Sequence, residues 1–195
     1  MNRTAQVTRN TREVAIKLSL DLDGKGETQM DTGIGFLDHM LTLLAWNSQF
    51  DLTITARGDR QVDDHHTAED VGIALGEAVD AALGDASGIA RYGWILLPMD
   101  EALAQVAIDA SGRGLAVLTT PFDGAIGGFD AQLIDEFLIA FARSSRLTLH
   151  ASLLAGTNRH HMAEALFKGV GRALAAVVRR GDTPEQIPST KGVLR

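Results

Sequence analysis

The residues best able to do chemistry in this chain occur as a motif written twice. His65-His66-Thr67-Ala68-Glu69 returns 95 residues later as His160-His161-Met162-Ala163-Glu164. On a helix, residues four apart share a face, and residues three apart nearly do. His65 and Glu69 can therefore converge on one ion, and so can His66 and Glu69. Adjacent histidines project about 100° apart around the axis and do not readily chelate the same ion. The spacing thus predicts that neighbouring histidines face two different metals. The minimal closed arrangement has two ions per site, each taking imidazoles and a carboxylate from different motif copies. This differs from H-E-x-x-H, in which both histidines share one face and the glutamate is a base. The donors are nitrogen and carboxylate without thiolate, a set that suits Mn, Fe, Co, Ni or Zn. One histidine pair at a helix start is commonly a solvated surface feature. Two pairs with matched glutamates at a repeat offset point instead to ligands.

Other polar residues are more ambiguous. His39 interrupts the apolar stretch Gly35-Phe36-Leu37-Asp38-His39-Met40 and reads as a satisfied, partly buried histidine or as a further ligand. His150 lies in Leu147-Thr148-Leu149-His150 and is read as structural. Glu136 is read from its pattern as a solvated helix carboxylate. Lys168 lies four residues beyond Glu164, on the metal-facing side of that helix. Asp109-Ala110-Ser111-Gly112-Arg113 ends a strand in a small turn, Arg91 falls near the middle of the chain, and Ser189-Thr190-Lys191-Gly192 lies in a polar tail. Several cations gathered near metals in an acidic protein would suit a phosphate-bearing substrate. There is no Walker-type loop. Gly169 and Gly171 lie inside a helical pattern and read as packing positions.

The elements that must hold these residues alternate between strand and helix. Glu13 to Leu20 and Phe50 to Thr55 alternate with period two, and Asp23-Gly24-Lys25-Gly26 reads as a hairpin turn. Gly35 to Ala45 and Val71 to Leu83 have helical spacing, with Gly84 as a stop. The order then returns. Leu103 to Asp109, Leu115 to Thr120 and Leu147 to His150 read as strands, and Ala131 to Ala142 and Glu164 to Val178 as helices. Asp123-Gly124-Ala125-Ile126-Gly127-Gly128 reads as a loop. At the motif's own offset, Leu52-Thr53-Ile54 matches Leu147-Thr148-Leu149, Ala56 matches Ala151, Gly76 matches Gly171 and Ala78 matches Ala173. The chain is therefore read as two β-β-α-β-α units, residues 1–92 and 93–195, fused into one compact α/β (α+β) domain whose sheets pack on a shared helical layer.

Bulk properties narrow the function classes. The 195 residues carry 45% apolar and 22% charged residues, as expected of a globular protein. A net charge of −7 argues against nucleic-acid binding, which favours a basic face. The absence of cysteine excludes disulfides, thiolate metal sites and cysteine nucleophiles, and is compatible with a cytoplasmic setting. The start, Met1-Asn2-Arg3-Thr4, has no apolar run of signal-peptide type. No segment approaches the length that spans a bilayer.

Taken together, the segments at 35–40, 65–70, 91–93, 98–102, 109–113, 158–168 and 189–192 resemble the imidazoleglycerol-phosphate dehydratase family, in its monofunctional form. The resemblance implies a hydro-lyase of histidine biosynthesis. It would convert imidazole glycerol phosphate to imidazole acetol phosphate with two Mn²⁺ per active site. It implies duplicated ferredoxin-like units of the ribosomal protein S5 domain 2 type. It also implies a homo-oligomer of twenty-four subunits with active sites between them. By position, the implied metal ligands are His39, His65, His66, Glu69, Glu136, His160, His161 and Glu164. Glu136 is a variable member, since histidine also occurs there in the family. Glu13 falls at a substrate-contacting catalytic carboxylate, and Glu69 and Glu164 join it as carboxylates of the catalytic centre. Arg91, Arg113, Lys168, Ser189, Thr190 and Lys191 match the substrate- and phosphate-binding positions.

Dehydration next to an imidazole must remove a proton with no adjacent carbonyl to acidify it. A metal on the ring nitrogen would draw charge into the ring, and Glu13 or Glu164 could move the proton. A two-metal phosphoester hydrolase could use a similar ligand set, but cations set apart from the metals suit a phosphate used as a handle. A metal-storage shell would need the histidines and glutamates, but not Glu13, Arg91, Arg113 or Lys191.

Overall fold

The structure is a computed structural model that describes residues 3–181 and 186–194. The start of the chain is therefore described only from Arg3; Met1 and Asn2 lie outside the described residues, as does Arg195. The first half contains β1 (Thr4–Asn10), β2 (Val14–Asp21), β3 (Thr28–Asp31), α1 (Gly35–Ser48), β4 (Asp51–Gly58) and α2 (His65–Leu83). The second contains β5 (Tyr92–Met99), β6 (Ala102–Asp109), β7 (Leu115–Thr119), the short β8 (Ala125–Ile126) and β9 (Phe129–Asp130), α3 (Leu133–Ser145), β10 (Thr148–Ala155) and α4 (Arg159–Val178).

Each half folds as a four-stranded sheet with two helices on one face. The sheet orders are β1-β2-β4-β3 and β5-β6-β10-β7, the same topology twice. In each, the strand before the second helix runs antiparallel to one neighbour and parallel to the other. Strand β2 buries Val14, Ile16, Leu18 and Leu20 at alternate positions and exposes the residues between them, as expected for a sheet with one covered face. The helices form the shared layer between the two sheets. There α2 packs on α3 and α1 on α4, around Phe137, Phe141 and Phe167, all fully buried.

Glycines allow this close helix contact. A Cβ on Gly76 would lie 2.7 Å from Phe141 O, and one on Gly171 would lie 2.5 Å from Leu44 O. The matched glycines thus serve equivalent crossings, α2 on α3 and α4 on α1.

The units differ from the sequence reading in three ways. Each has three strands of its four-stranded sheet before its first helix, because β1 and β5 add an outer edge strand. β1 is mostly polar and β5 is apolar on both faces, so neither shows the polar–apolar alternation that marks β2. Asp23–Gly26 is not a hairpin turn, because β3 pairs with β4 in parallel rather than with β2. Asp51 instead draws this loop over the start of β4, accepting hydrogen bonds from the backbone N–H groups of Lys25 (2.7 Å) and Glu27 (2.8 Å). The glycine-rich 123–128 loop contains half of a small hairpin, β8–β9. Its turn is Gly127-Gly128, with φ of 57° and 90°, a two-residue turn that needs positive φ twice.

The outer faces of the two sheets are unlike. The first presents Gln6, Thr8, Lys17, Ser19, Thr53 and Thr55. The second exposes Tyr92, Leu96, Leu115, Val117 and Trp94, the last 77% exposed.

Candidate functional site

Both His-His-x-x-Glu motifs occupy the first turns of helices. In α4, the Asn158 side chain caps the helix by accepting from the N–H groups of His160 (2.9 Å) and His161 (3.4 Å). This cap fixes the entry angle of the motif and satisfies two otherwise unpaired donors. In α2, Asp63 accepts from His65 N–H at 2.8 Å.

Two helices bring one cluster of ligand type together. His39 of α1 and His160 of α4 both direct Nε2 at Glu164 Oε1, at 2.9 and 3.1 Å. The three ligand atoms lie within 4.8 Å of one another, in the only such group of three among the described residues. Lys168 Nζ donates to the other oxygen, Glu164 Oε2, at 2.5 Å. Burial by itself would raise the Glu164 carboxyl. Hydrogen bonds from Lys168 and His39, with the charge of Lys168, outweigh it and hold the group at about 2. An ionised carboxylate with one oxygen committed to lysine and the other aimed between two imidazoles fits a divalent cation of the nitrogen–oxygen class. Phe36 packs edge-on against His160 and also meets Phe129 of β9, so the β8–β9 hairpin walls the cluster.

The second histidine of each motif is held differently. His161 Nδ1 lies 2.8 Å from Glu101 Oε2, and His66 Nδ1 lies 3.1 Å from both oxygens of Asp59. Each carboxylate leaves Nε2 as the outward-facing nitrogen. The Asp59 hydrogen bond raises the pKa of His66, and the Glu101 hydrogen bond raises that of His161. The His161 contact and the backbone N–H groups of Asn158 and Thr157 hold Glu101 at about 2. The sequence assigns no role to Asp59, and Glu101 enters there only as part of the 98–102 segment. They do not lie at the repeat offset, so periodicity carries no signal for them.

Glu13 sits in the β1–β2 turn rather than in the strand, with Oε1 3.9 Å from His66 Nε2. His65 lines a separate acidic recess with Asp63, Asp64 and Asp130. Glu136 lies half-buried in the first turn of α3. Glu69, Glu136, His65, His66 and His161 do not join the His39–His160–Glu164 group within one chain. His150 is not a core residue: it is exposed on the outer face of the second sheet, in a cleft with Tyr92 and Trp94.

Most of the expected phosphate-binding residues share a cavity of about 450 Å³, which Arg91, Arg113, Ser189, Thr190 and Lys191 line with Arg146. Arg91 anchors it, donating to Asp109 Oδ1 (2.8 Å) and to Pro188 O (2.8 Å), which ties down the C-terminal tail. Lys168 does not line this cavity; it is committed to Glu164.

Fold and site together define a class: an internally duplicated α/β protein with a histidine–carboxylate centre and a separate cationic cavity. The imidazoleglycerol-phosphate dehydratase family model matches residues 32–174. The chain is 54% identical to the imidazoleglycerol-phosphate dehydratase of Granulibacter bethesdensis over 100% of both chains, and 53% identical to that of Desulforudis audaxviator over 98% of both. The crystal structure of the Staphylococcus aureus enzyme superposes with a TM-score of 0.82 at 37% identity, covering 91% of this chain and 99% of that one. IGPD from Pyrococcus furiosus gives 0.84 at 37% identity, covering 96% and 100%. The chain belongs to the imidazoleglycerol-phosphate dehydratase family, and so is an enzyme of the hydro-lyase class.

Proposed function

We propose that the protein dehydrates imidazole glycerol phosphate to imidazole acetol phosphate in histidine biosynthesis, with two Mn²⁺ per active site. The observation that carries this reading, beside family membership, is the separation of two chemistries. A metal-capable His39–His160–Glu164 group lies in one place, and a cavity suited to phosphate, sharing no residue with it, lies in another. A phosphate that reacted would sit at the metals; a phosphate used as a handle would sit apart from them.

Bound at the histidines, manganese would supply Lewis acidity to the substrate's imidazole, easing loss of the neighbouring proton. The residues divide the remaining work. Arg91, Arg113, Ser189, Thr190 and Lys191 hold the phosphate and so orient the diol. Lys168 keeps Glu164 ionised and fixed, which suits it to be a ligand and leaves it ill placed to carry protons. Glu13 is exposed beside His66 Nε2 and is the better proton carrier. His65, Glu69, His66, His161 and Glu136 complete the ligand set with groups from other subunits, because the described residues of one chain gather only three ligands. The apolar outer face of the second sheet also supports a homo-oligomer. A twenty-four-subunit particle in the cytoplasm is the form proposed.

Metal analysis and native mass, alongside an assay for dehydration of imidazole glycerol phosphate, test the reading. Two ions per chain, a very large particle and dehydration are expected. Release of inorganic phosphate without dehydration would point to a phosphoester hydrolase, and one ion on an inactive monomer would overturn the proposal.

A further inference from the structure

Arg146 ends α3 with φ of 59°, in the left-handed region, where glycine is at ease and a long side chain is not. Local structure does not account for an arginine there. At the corresponding end of α1, Gln49 also has positive φ (62°), but its side chain is used locally, with Nε2 donating to Trp46 O at 2.7 Å. Arg146 contributes only its backbone N–H, to Arg143 O at 3.2 Å. Its guanidinium has no hydrogen-bond or ion-pair partner among the described residues, and it lines the cavity of Arg91, Arg113 and Lys191. The turn is well placed for this. Leu115 N–H donates to Leu147 O at 2.9 Å, tying the residue after Arg146 to the strand that follows the Arg113 loop.

The charge balance of the cavity leads to the same residue. Asp109 is the acid that answers its cations, at 2.8 Å from Arg91 and 3.5 Å from Arg113. Among the described residues, Arg146 and Lys191 are left with no acid partner. Two unanswered cations match the roughly −2 charge of a phosphate monoester, and a planar guanidinium can present paired donors to its oxygens.

We infer that Arg146 is a further phosphate-binding residue of the cavity that Arg91, Arg113 and Lys191 line. The inference rests on reading this cavity as the phosphate subsite. Arg146→Gly tests it without disturbing the fold, because glycine is at home at this φ; Arg146→Lys retains the charge and loses the fork. The intact metal-loaded assembly is titrated with inorganic phosphate by calorimetry, and KM and kcat for imidazole glycerol phosphate are measured in parallel. Arg146→Gly should weaken phosphate binding about tenfold or more and raise KM in step. Its kcat should stay within about twofold, since the side chain touches only the handle. Arg146→Lys should recover part of the loss. Unchanged phosphate affinity with unchanged KM in Arg146→Gly would overturn the inference. A wild-type protein that binds phosphate through Arg146 but dehydrates nothing would leave it standing and overturn the proposed function instead.

Discussion

Glu101 fixes the ring of His161: its Oε2 lies 2.8 Å from Nδ1, so Nε2 is the nitrogen left for a ligand. Asp59 stands in the same relation to His66. Carboxylates in this position orient the ring, set its tautomer and raise its basicity toward a metal.

Glu101→Gln should therefore weaken manganese binding about 10–100-fold. The substitution is selective. Its amide oxygen can still accept from the N–H groups of Thr157 and Asn158, now taken by Glu101 Oε1. Its amide nitrogen, however, would face His161 Nδ1 as a donor and push the ring proton to Nε2. Asp59→Asn should act in the same way on His66. Manganese titration of the two variants checks this, and wild-type affinity in both would reduce the carboxylates to surface partners.

Gly171→Ala should both destabilise the protein and disturb its metal site. The new methyl would meet Leu44 O at 2.5 Å and Asn47 Cβ at 2.9 Å. Overpacking of this kind costs about 1–3 kcal/mol, against a gain in helix propensity of about 1 kcal/mol. Because α4 carries His160 and Glu164 and α1 carries His39, separating the helices would pull the ligand group apart. Gly35→Ala is the control, with nothing within 4 Å of its new Cβ. Denaturant midpoints and bound metal should both fall for Gly171→Ala and hold for Gly35→Ala.

The parts of this architecture that repeat were legible in the sequence. Gly76 and Gly171 share an offset and a packing role, and the doubled motif lies at both helix starts, although the spacing begins those helices at Val71 and Glu164 rather than at His65 and Arg159. What escaped reading lacks period or burial. Strand β1 is an edge strand of alternating exposed and half-buried residues, mostly polar. Asp59 and Glu101 reach equivalent histidines from non-equivalent places in the chain. Arg146 reads as an ordinary surface arginine until its backbone angle and its cavity are seen together. The grouping of His39 with His160 and Glu164 joins residues of different halves, a relation that spacing along one helix cannot express.

Glu13→Gln should leave metal content unchanged and lower kcat by about 10²–10⁴-fold, the usual contribution of a positioned acid–base group. Glu13 is 3.9 Å from His66 Nε2, within reach of a substrate atom near that histidine but not bonded to the ring. Near-normal turnover by a fully loaded Glu13→Gln enzyme would move the proton transfer to another carboxylate.

Asp51 offers a stability test that is independent of the metal site. The N–H groups of Lys25 and Glu27 lower its carboxyl below the ordinary 3.8. A carboxyl depressed on folding contributes stability above its unfolded value, and that contribution fades as pH falls through the folded value. Asp51→Asn keeps an acceptor oxygen for the Gly24–Glu27 loop but removes the charge. It should cost about 1 kcal/mol at neutral pH, the difference between charged and neutral hydrogen bonds. The deficit should narrow below about 3.8, as the wild-type carboxyl takes up its proton and the two side chains become alike. Urea unfolding of both proteins at one fixed concentration, from pH 7 downward, reads this directly. A deficit that stays constant across the acid range would mean that the charge of Asp51 plays no part in holding the loop to β4.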